Sequence, residues 1–267
     1  MARIPLDEYY QRTGVGQPGE ISLARLGELQ LGQLCAIPYE NFDVLLGRGI
    51  HLSVDSLTEK LIRSRRGGYC FELNGLLLEV LKAEGFEVRP LLARVHLGGE
   101  STGRGHQVAL VSVDNEEWIV DAGNGAYCPR SPLRFEHGIE SIHLGTPYRI
   151  VPHELGHMVQ IRPDDAWQDV YSFDLTPVIQ ADIDYGNHFT STHPSSIFTK
   201  WRIAVLGHDD GQTVIFNDSC TIRRGTEEEK QKLPDDERYL QILRDQAGIE
   251  LDASYDDLPP LAQMSPT

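Results

Sequence analysis

Apolar positions in the first 85 residues recur at helical spacing. Leu23, Leu26, Leu29 and Leu34 follow Ser22, and Val54, Leu57 and Leu61 follow Ser53, so each serine reads as an N-cap. A third helix starts near Cys70, carries Leu73, Leu77, Val80 and Leu81, and stops at Gly85, where a left-handed residue belongs. From Phe86 the period changes to two. EVRPLLARV is followed by HQVALVSV and EWIVDAG, the last two joined by a turn at Asp114 and Asn115. Further strands are expected at Tyr148 to Val151, Met158 to Arg162 and Val170 to Leu175, which makes the middle hundred residues a barrel or strongly bent sheet. The Gly/Ser/Thr/Pro-rich stretch GNHFTSTHPSS breaks the pattern. After it, WRIAVLG and TVIFNDSCTI predict a hairpin around Gly211, and a last helix is expected near Glu237 to Gln246.

Composition narrows the class. With 267 residues, 40% of them hydrophobic, the chain can bury a large core and is neither disordered nor collagen-like. No run approaches the roughly 18 apolar residues of a membrane span, and MARIPLDEYY has no apolar signal core, so a soluble, untargeted, cytoplasmic protein is expected. Lys plus Arg number 24 against 40 Asp plus Glu, a net charge of −16 that repels a polyphosphate backbone and disfavours nucleic-acid binding. An anionic substrate needs a local cluster of donors; the densest basic run is Arg63 to Arg66. The acidic runs Glu227 to Glu229, Asp235 to Glu237 and Asp256 to Asp257 read as solvated faces. Four cysteines (Cys35, Cys70, Cys128, Cys220) lack CxxC spacing and fit a reducing compartment, each either a small buried hydrophobe or a reactive thiol.

Three segments could carry chemistry. HELGH (His153 to His157) matches the HExxH zinc pattern, but Pro152, Gly156 and the strand-like flanks YRIV and MVQIR predict a β-turn rather than the helix that would align two imidazoles. The glycines of RGGYCFELN lack Walker-loop spacing; they fit a close backbone approach and a sharp turn into the helix that begins at Cys70. An activated thiol with a pKa near 5 lies about 3.5 units below a free one, or about 5 kcal/mol, and a helix N-terminus supplies at most about 2 kcal/mol. A cationic partner must supply the rest. His106 opens one strand of the predicted hairpin and Asp121 closes the other, which brings them near-opposite on adjacent strands. Cys70, His106 and Asp121 would then be nucleophile, base and orienter. A core cysteine, a satisfied strand histidine and a turn aspartate are the plainer alternatives.

Five segments carry a family resemblance. IPYENFDVLL (37–46), RGGYCFELNG (66–75), STGRGHQVAL (101–110), WIVDAGNG (118–125) and STHPSSIF (191–198) together resemble the arylamine N-acetyltransferases, in family order and spacing over essentially the whole chain. The resemblance implies an α+β fold in three parts: an N-terminal helical bundle (1–85), a central β-barrel (86–190) and a C-terminal α/β lid (191–267), around a papain- and transglutaminase-like Cys-His-Asp core. It makes Cys70 the acyl-accepting nucleophile, His106 its base and Asp121 the orienter. Glu40 and Arg66 match a structural ion pair; Thr102, Gly103 and Ser195 match positions that approach coenzyme A. Tyr39, Val95, Asn124 and Phe198 match an acceptor pocket. Many bacterial members carry Phe where this chain has Asn124, which implies a roomier, more polar pocket. The implied reaction is ping-pong transfer of acetyl from acetyl-coenzyme A to an arylamine, arylhydrazine or N-hydroxyarylamine. No metal or tightly held cofactor is implied, and the partners are small molecules, with no nucleic acid or membrane and with a monomer or weak homodimer expected.

Other readings use the same residues. Within the family, amide synthases close macrolactams and some members use malonyl donors. A thiol protease or transglutaminase would pass the acyl group to water or lysine, and a binding protein would carry an inert core cysteine.

Overall fold

The computed structural model describes residues 3–97 and 101–261. Helices α1 (Leu6–Thr13), α2 (Leu23–Ala36), α3 (Phe42–Leu45), α4 (Val54–Leu57) and α5 (Cys70–Glu84) fill the first third, with a two-residue strand β1 (Tyr39–Glu40) among them. The capping expectations hold: Ser22 Oγ accepts from the Arg25 amide and Ser53 Oγ from the Ser56 amide, both at 3.2 Å. α4 runs on into a π-helical segment, Thr58–Arg63, whose wide turns end with the Ser64 amide donating to Glu59. Gly85, at φ 94°, ends α5 in the left-handed region.

Eight antiparallel strands follow in two runs. β2 (Glu87–Val95), β3 (His106–Val113), β4 (Glu116–Val120) and β5 (Leu133–Arg134) are joined to β6 (Glu140–His143), β7 (Thr146–His153), β8 (Gly156–Ile161) and β9 (Gln168–Phe173) through the β2–β9 pair. The sheet order is β5-β4-β3-β2-β9-β8-β7-β6, a sheet bent into a nearly closed barrel. Asp114 and Asn115, at φ 55° and 61°, make the predicted tight turn between β3 and β4. Because β3 is covered on both faces, its alternation splits two cores. Val108 and Leu110 pack inside the barrel with Leu91 and Ile150, whereas Ala109, Val111 and Val113 pack under Leu73, Leu77 and Val80 of α5. Each fully buried leucine there contributes about 1.5–3 kcal/mol.

The last third departs from expectation in two places. GNHFTSTHPSS does not interrupt the structure; most of it lies in α6 (Gln180–Thr192). Its hydroxyls are absorbed within the helix, Ser191 donating to the Asn187 carbonyl at 2.7 Å and Thr192 to the His188 carbonyl at 2.6 Å. Gly186 lets the helix lie against Phe71 and the Arg104 carbonyl, since a Cβ there would stand 2.8 and 2.9 Å from them. After α6, β10 (Ile203–His208), β11 (Gly211–Phe216), β12 (Ser219–Arg224) and β13 (Glu227–Lys232) extend from β1 in a second antiparallel sheet, and α7 (Arg238–Ala247) closes it. β13 opens with the acidic run Glu227 to Glu229, solvated as expected but also part of an edge strand. Two of its carboxylates sit opposite basic residues, Arg223 on Glu228 and Arg224 on Glu227.

Candidate active site

The thiol is placed by glycines. The Gly68 amide donates to the Pro38 carbonyl at 3.1 Å, and the Glu40 amide donates to the Gly68 carbonyl at 2.9 Å, so the segment before α5 lies flat on β1. A Cβ on Gly67 would stand 2.2 Å from the Pro38 oxygen. The backbone then turns at Tyr69 into α5, with Cys70 its first residue and 2% exposed.

His106 and Asp121 are brought together by the β3–β4 hairpin. Its register pairs Ala109 with Val120, so Asp121 faces the barrel side with Val108 as its opposite number and His106 as the diagonal neighbour on the same face. The contact is made: His106 Nε2 lies 2.8 Å from Asp121 Oδ2, both side chains almost fully buried. That bond leaves Nδ1 as the ring nitrogen for the thiol. Burial alone would lower the imidazole, but the Asp121 carboxylate and the Cys70 sulfur beside it hold it up to about 10. The Cys70 Sγ also lies 3.5 Å from the Gly105 carbonyl.

Two residues that sequence reasoning passed over complete this arrangement. Asn74, one turn after Cys70 on α5, donates Nδ2 to Asp121 Oδ1 at 2.8 Å and to the Gln107 carbonyl at 2.6 Å, while its Oδ1 accepts from the Ala122 amide at 2.8 Å. Gly123 lies against Cys70 itself; a Cβ there would be 2.9 Å from the Cys70 Cα. The only sequence signal for Asn74 was its i+4 spacing from the cysteine. Tyr171 packs its ring on His106 at 5.1 Å between centroids.

Of the remaining candidates, some converge and some do not. Glu40 and Arg66 form a buried pair at 2.6 Å. Phe198 stands edge-on to Tyr69 (5.3 Å, 86°) and to Tyr39 (6.2 Å, 62°), beside Cys70. A small cavity lined by Tyr39, Ala122, Gly125, Cys128 and Val205 adjoins this group. Asn124 is next to it in the chain; its amide donates to Cys128 Sγ at 2.8 Å and its side-chain Nδ2 is buried without a hydrogen-bond partner. Thr102 and Gly103 are exposed on the loop before β3, where Thr102 Oγ1 accepts from the Val95 amide at 3.0 Å. Ser195 is exposed after α6, its Oγ 2.7 Å from His193 Nδ1.

HELGH is a hairpin turn. His153 ends β7, Gly156 (φ 112°) opens β8, and the imidazoles part: His153 Nδ1 accepts from the Leu155 amide, while His157 Nδ1 lies 2.9 Å from His137 Nε2. Among the described residues no helix is long and apolar enough to cross a membrane.

A buried cysteine, histidine and aspartate thus meet at the junction of a helix and a bent sheet, the set of groups that thiol-based acyl transfer needs. The N-acetyltransferase family model matches residues 22–255. The chain belongs to the arylamine N-acetyltransferase family of acyltransferases. It is 36% identical over 249 residues to the arylamine N-acetyltransferase / N-hydroxyarylamine O-acetyltransferase of Salmonella typhimurium, covering 91% of this chain and 88% of the relative. It is 33% identical over 252 residues to the arylamine N-acetyltransferase of Escherichia coli, with 92% and 89% covered. The solved Salmonella typhimurium structure superposes with a TM-score of 0.90 at 34% identity, over 96% of this chain and 97% of the other. The Mycobacterium marinum enzyme in complex with CoA superposes at 0.86 and 31% identity, with 97% and 96% covered.

Proposed function

We propose that the protein transfers an acetyl group from acetyl-coenzyme A to the nitrogen of an arylamine or arylhydrazine, or the oxygen of an N-hydroxyarylamine, through a thioester on Cys70. The observation that carries this reading is the His106 geometry. One ring nitrogen is held by Asp121 at 2.8 Å and the other is left for the sulfur, with the imidazolium favoured.

In the first half, the Cys70 thiolate attacks the thioester carbonyl, the carbon–sulfur bond to coenzyme A breaks, and His106 gives its proton to the departing thiolate. In the second, the acceptor nitrogen attacks the Cys70 thioester, His106 removes its proton, and the Cys70 thiolate leaves. Asp121 fixes the tautomer, and Asn74 fixes Asp121. Thr102, Gly103 and Ser195, all exposed, suit contact with coenzyme A; Tyr39, Val95, Asn124 and Phe198 are assigned to the acceptor side.

Mixing the protein with acetyl-coenzyme A alone tests the reading. One equivalent of coenzyme A should be released in a burst, intact mass should show one acetyl group on Cys70, and double-reciprocal plots at several amine concentrations should be parallel. Intersecting lines with no acyl-enzyme, in a protein that still acetylates amines, would rule out the covalent route.

A further inference from the structure

Two acidic groups crowd one helix end. α5 opens with Cys70, and Glu72, two residues on, folds its carboxylate back so that Oε2 accepts from the Tyr69 amide at 3.1 Å. A carboxylate in the first turn is ordinarily favoured by the positive end of the helix. Here it competes for that end with the sulfur that must carry negative charge.

Lys60 is placed to resolve the competition. Its ammonium stands 2.7 Å from Glu72 Oε1 and 2.7 Å from Asp43 Oδ2. Glu72 has no other cationic partner within 4.0 Å among the described residues, and its side chain is 2% exposed. Asp43 is also held by Arg66 at 3.2 Å and by the more exposed Arg48 at 3.6 Å, and Arg66 holds Glu40. The groups acting on Glu72 are thus Lys60 from the π-helical segment, Glu40 from β1 and Tyr69 at the start of its own helix, with Asp43 and Arg66 reached through Lys60 and Glu40; Cys70 lies two residues before it on α5. Burial opposes the charge on Lys60, and Glu72, Glu40 and Asp43 more than offset it; burial pushes the Glu72 carboxyl up despite Lys60.

We propose that Lys60 is a positioning residue of the transfer reaction. By neutralising Glu72 it lets that carboxylate cap the nucleophile's helix without opposing the Cys70 thiolate. The inference rests on Cys70 being the nucleophile. It predicts that Lys60 acts through Glu72, so that removing the lysine harms only while the carboxylate remains.

The test is the rate of iodoacetamide labelling of Cys70 in the full chain, read by mass mapping from pH 5 to 9, with circular dichroism as the check on folding. Lys60→Met should slow labelling at pH 7 by about tenfold, the order expected of one uncompensated charge on the same helix turn. Lys60→Arg should stay within about threefold of the parent, and Lys60→Met with Glu72→Gln should recover to the same range. A double variant as slow as Lys60→Met, or a Lys60→Met rate equal to the parent, overturns the inference. Should Lys60→Met fail to fold, Glu72→Gln alone decides. Its amide still accepts from Tyr69, so labelling should match or exceed the parent, and a slower rate overturns the proposal. Equal labelling of Cys35, Cys70, Cys128 and Cys220 in the parent would instead remove the functional reading and this inference with it.

Discussion

The imidazole of His106 is set by opposed influences. Burial favours the neutral ring, yet Asp121 and the Cys70 sulfur keep it protonated up to about 10. A folded value raised above the unfolded 6.5 means that the stabilising charge is complete below about 6.5 and is lost as pH rises through about 10. The acylation burst should therefore keep its rate from pH 7 to 9 and fall above about 10; stopped-flow measurement of coenzyme A release decides this, and a decline centred near 6.5 would mean an unpaired histidine. Asn124 gives a second prediction. Its Nδ2 is buried without a hydrogen-bond partner, so the position is more polar than a ring would make it. Asn124→Phe should raise preference for flat, apolar anilines by up to about tenfold, the worth of an edge contact, with donor turnover nearly unchanged. A flat aniline panel combined with collapsed donor kinetics would place the residue on the donor side. The three central residues were legible because local signals place each: a glycine pair before a helix, and two strand ends across a two-residue turn. Asn74 and Lys60 were not, because no turn or strand pairing readable in the sequence brings them to Asp121 and Glu72.

Elements were legible where short-range chemistry decides them and illegible where packing does. α5 ends at Gly85 and the β3–β4 turn falls at Asp114 and Asn115, as backbone preferences alone dictate. α6 has a poor composition for a helix, and it stands because Gly186 lets it seat on Phe71 and because Asp182 accepts from the Ile179 amide at 3.0 Å. β13 was hidden by its charges, two of which face the arginines of β12. The loop after β4 makes the sharpest prediction at this scale. A methyl group on Gly123 would meet the Cys70 Cα at 2.9 Å and the Asn74 side-chain Nδ2 at 2.8 Å, so helix and loop must part. Gly123→Ala should keep the fold, by circular dichroism, and lower the burst rate at least tenfold, since displacements near 1 Å cost that much in a preorganised site. An unchanged burst would show that the loop yields without moving the thiol.

At the scale of the whole molecule, the second sheet is tied to the site through β1, where Tyr39 and Glu40 pair with Val205 and Ala204 of β10. Just before β10 sits a fully buried arginine. Arg202, 0% exposed, lies between the faces of Tyr239 and Tyr255 at 4.9 and 4.8 Å, and donates to the Tyr255 hydroxyl at 3.0 Å and to the Pro259 carbonyl at 2.7 Å. Both acceptors come from the segment after α7, so the end of the described chain supplies the partners of both terminal guanidinium nitrogens, while Nε has none. Removing the partners is costlier than removing the charge, because an unpaired guanidinium would stay behind in a dry core. A chain ending at Ser254 should lose about 3–5 kcal/mol in urea unfolding, whereas Arg202→Met in the full chain, which takes the charge away with its packing largely kept, should lose less. The slackening should then reach the site: amide hydrogen exchange at Tyr39 and Val205, the pair whose amides face across β1 and β10, should quicken in the shortened chain at temperatures where it is still folded. A loss under about 1 kcal/mol, or a larger loss in Arg202→Met than in the truncation, would mean that the tail merely covers the sheet and that β1 is held from the helical side alone.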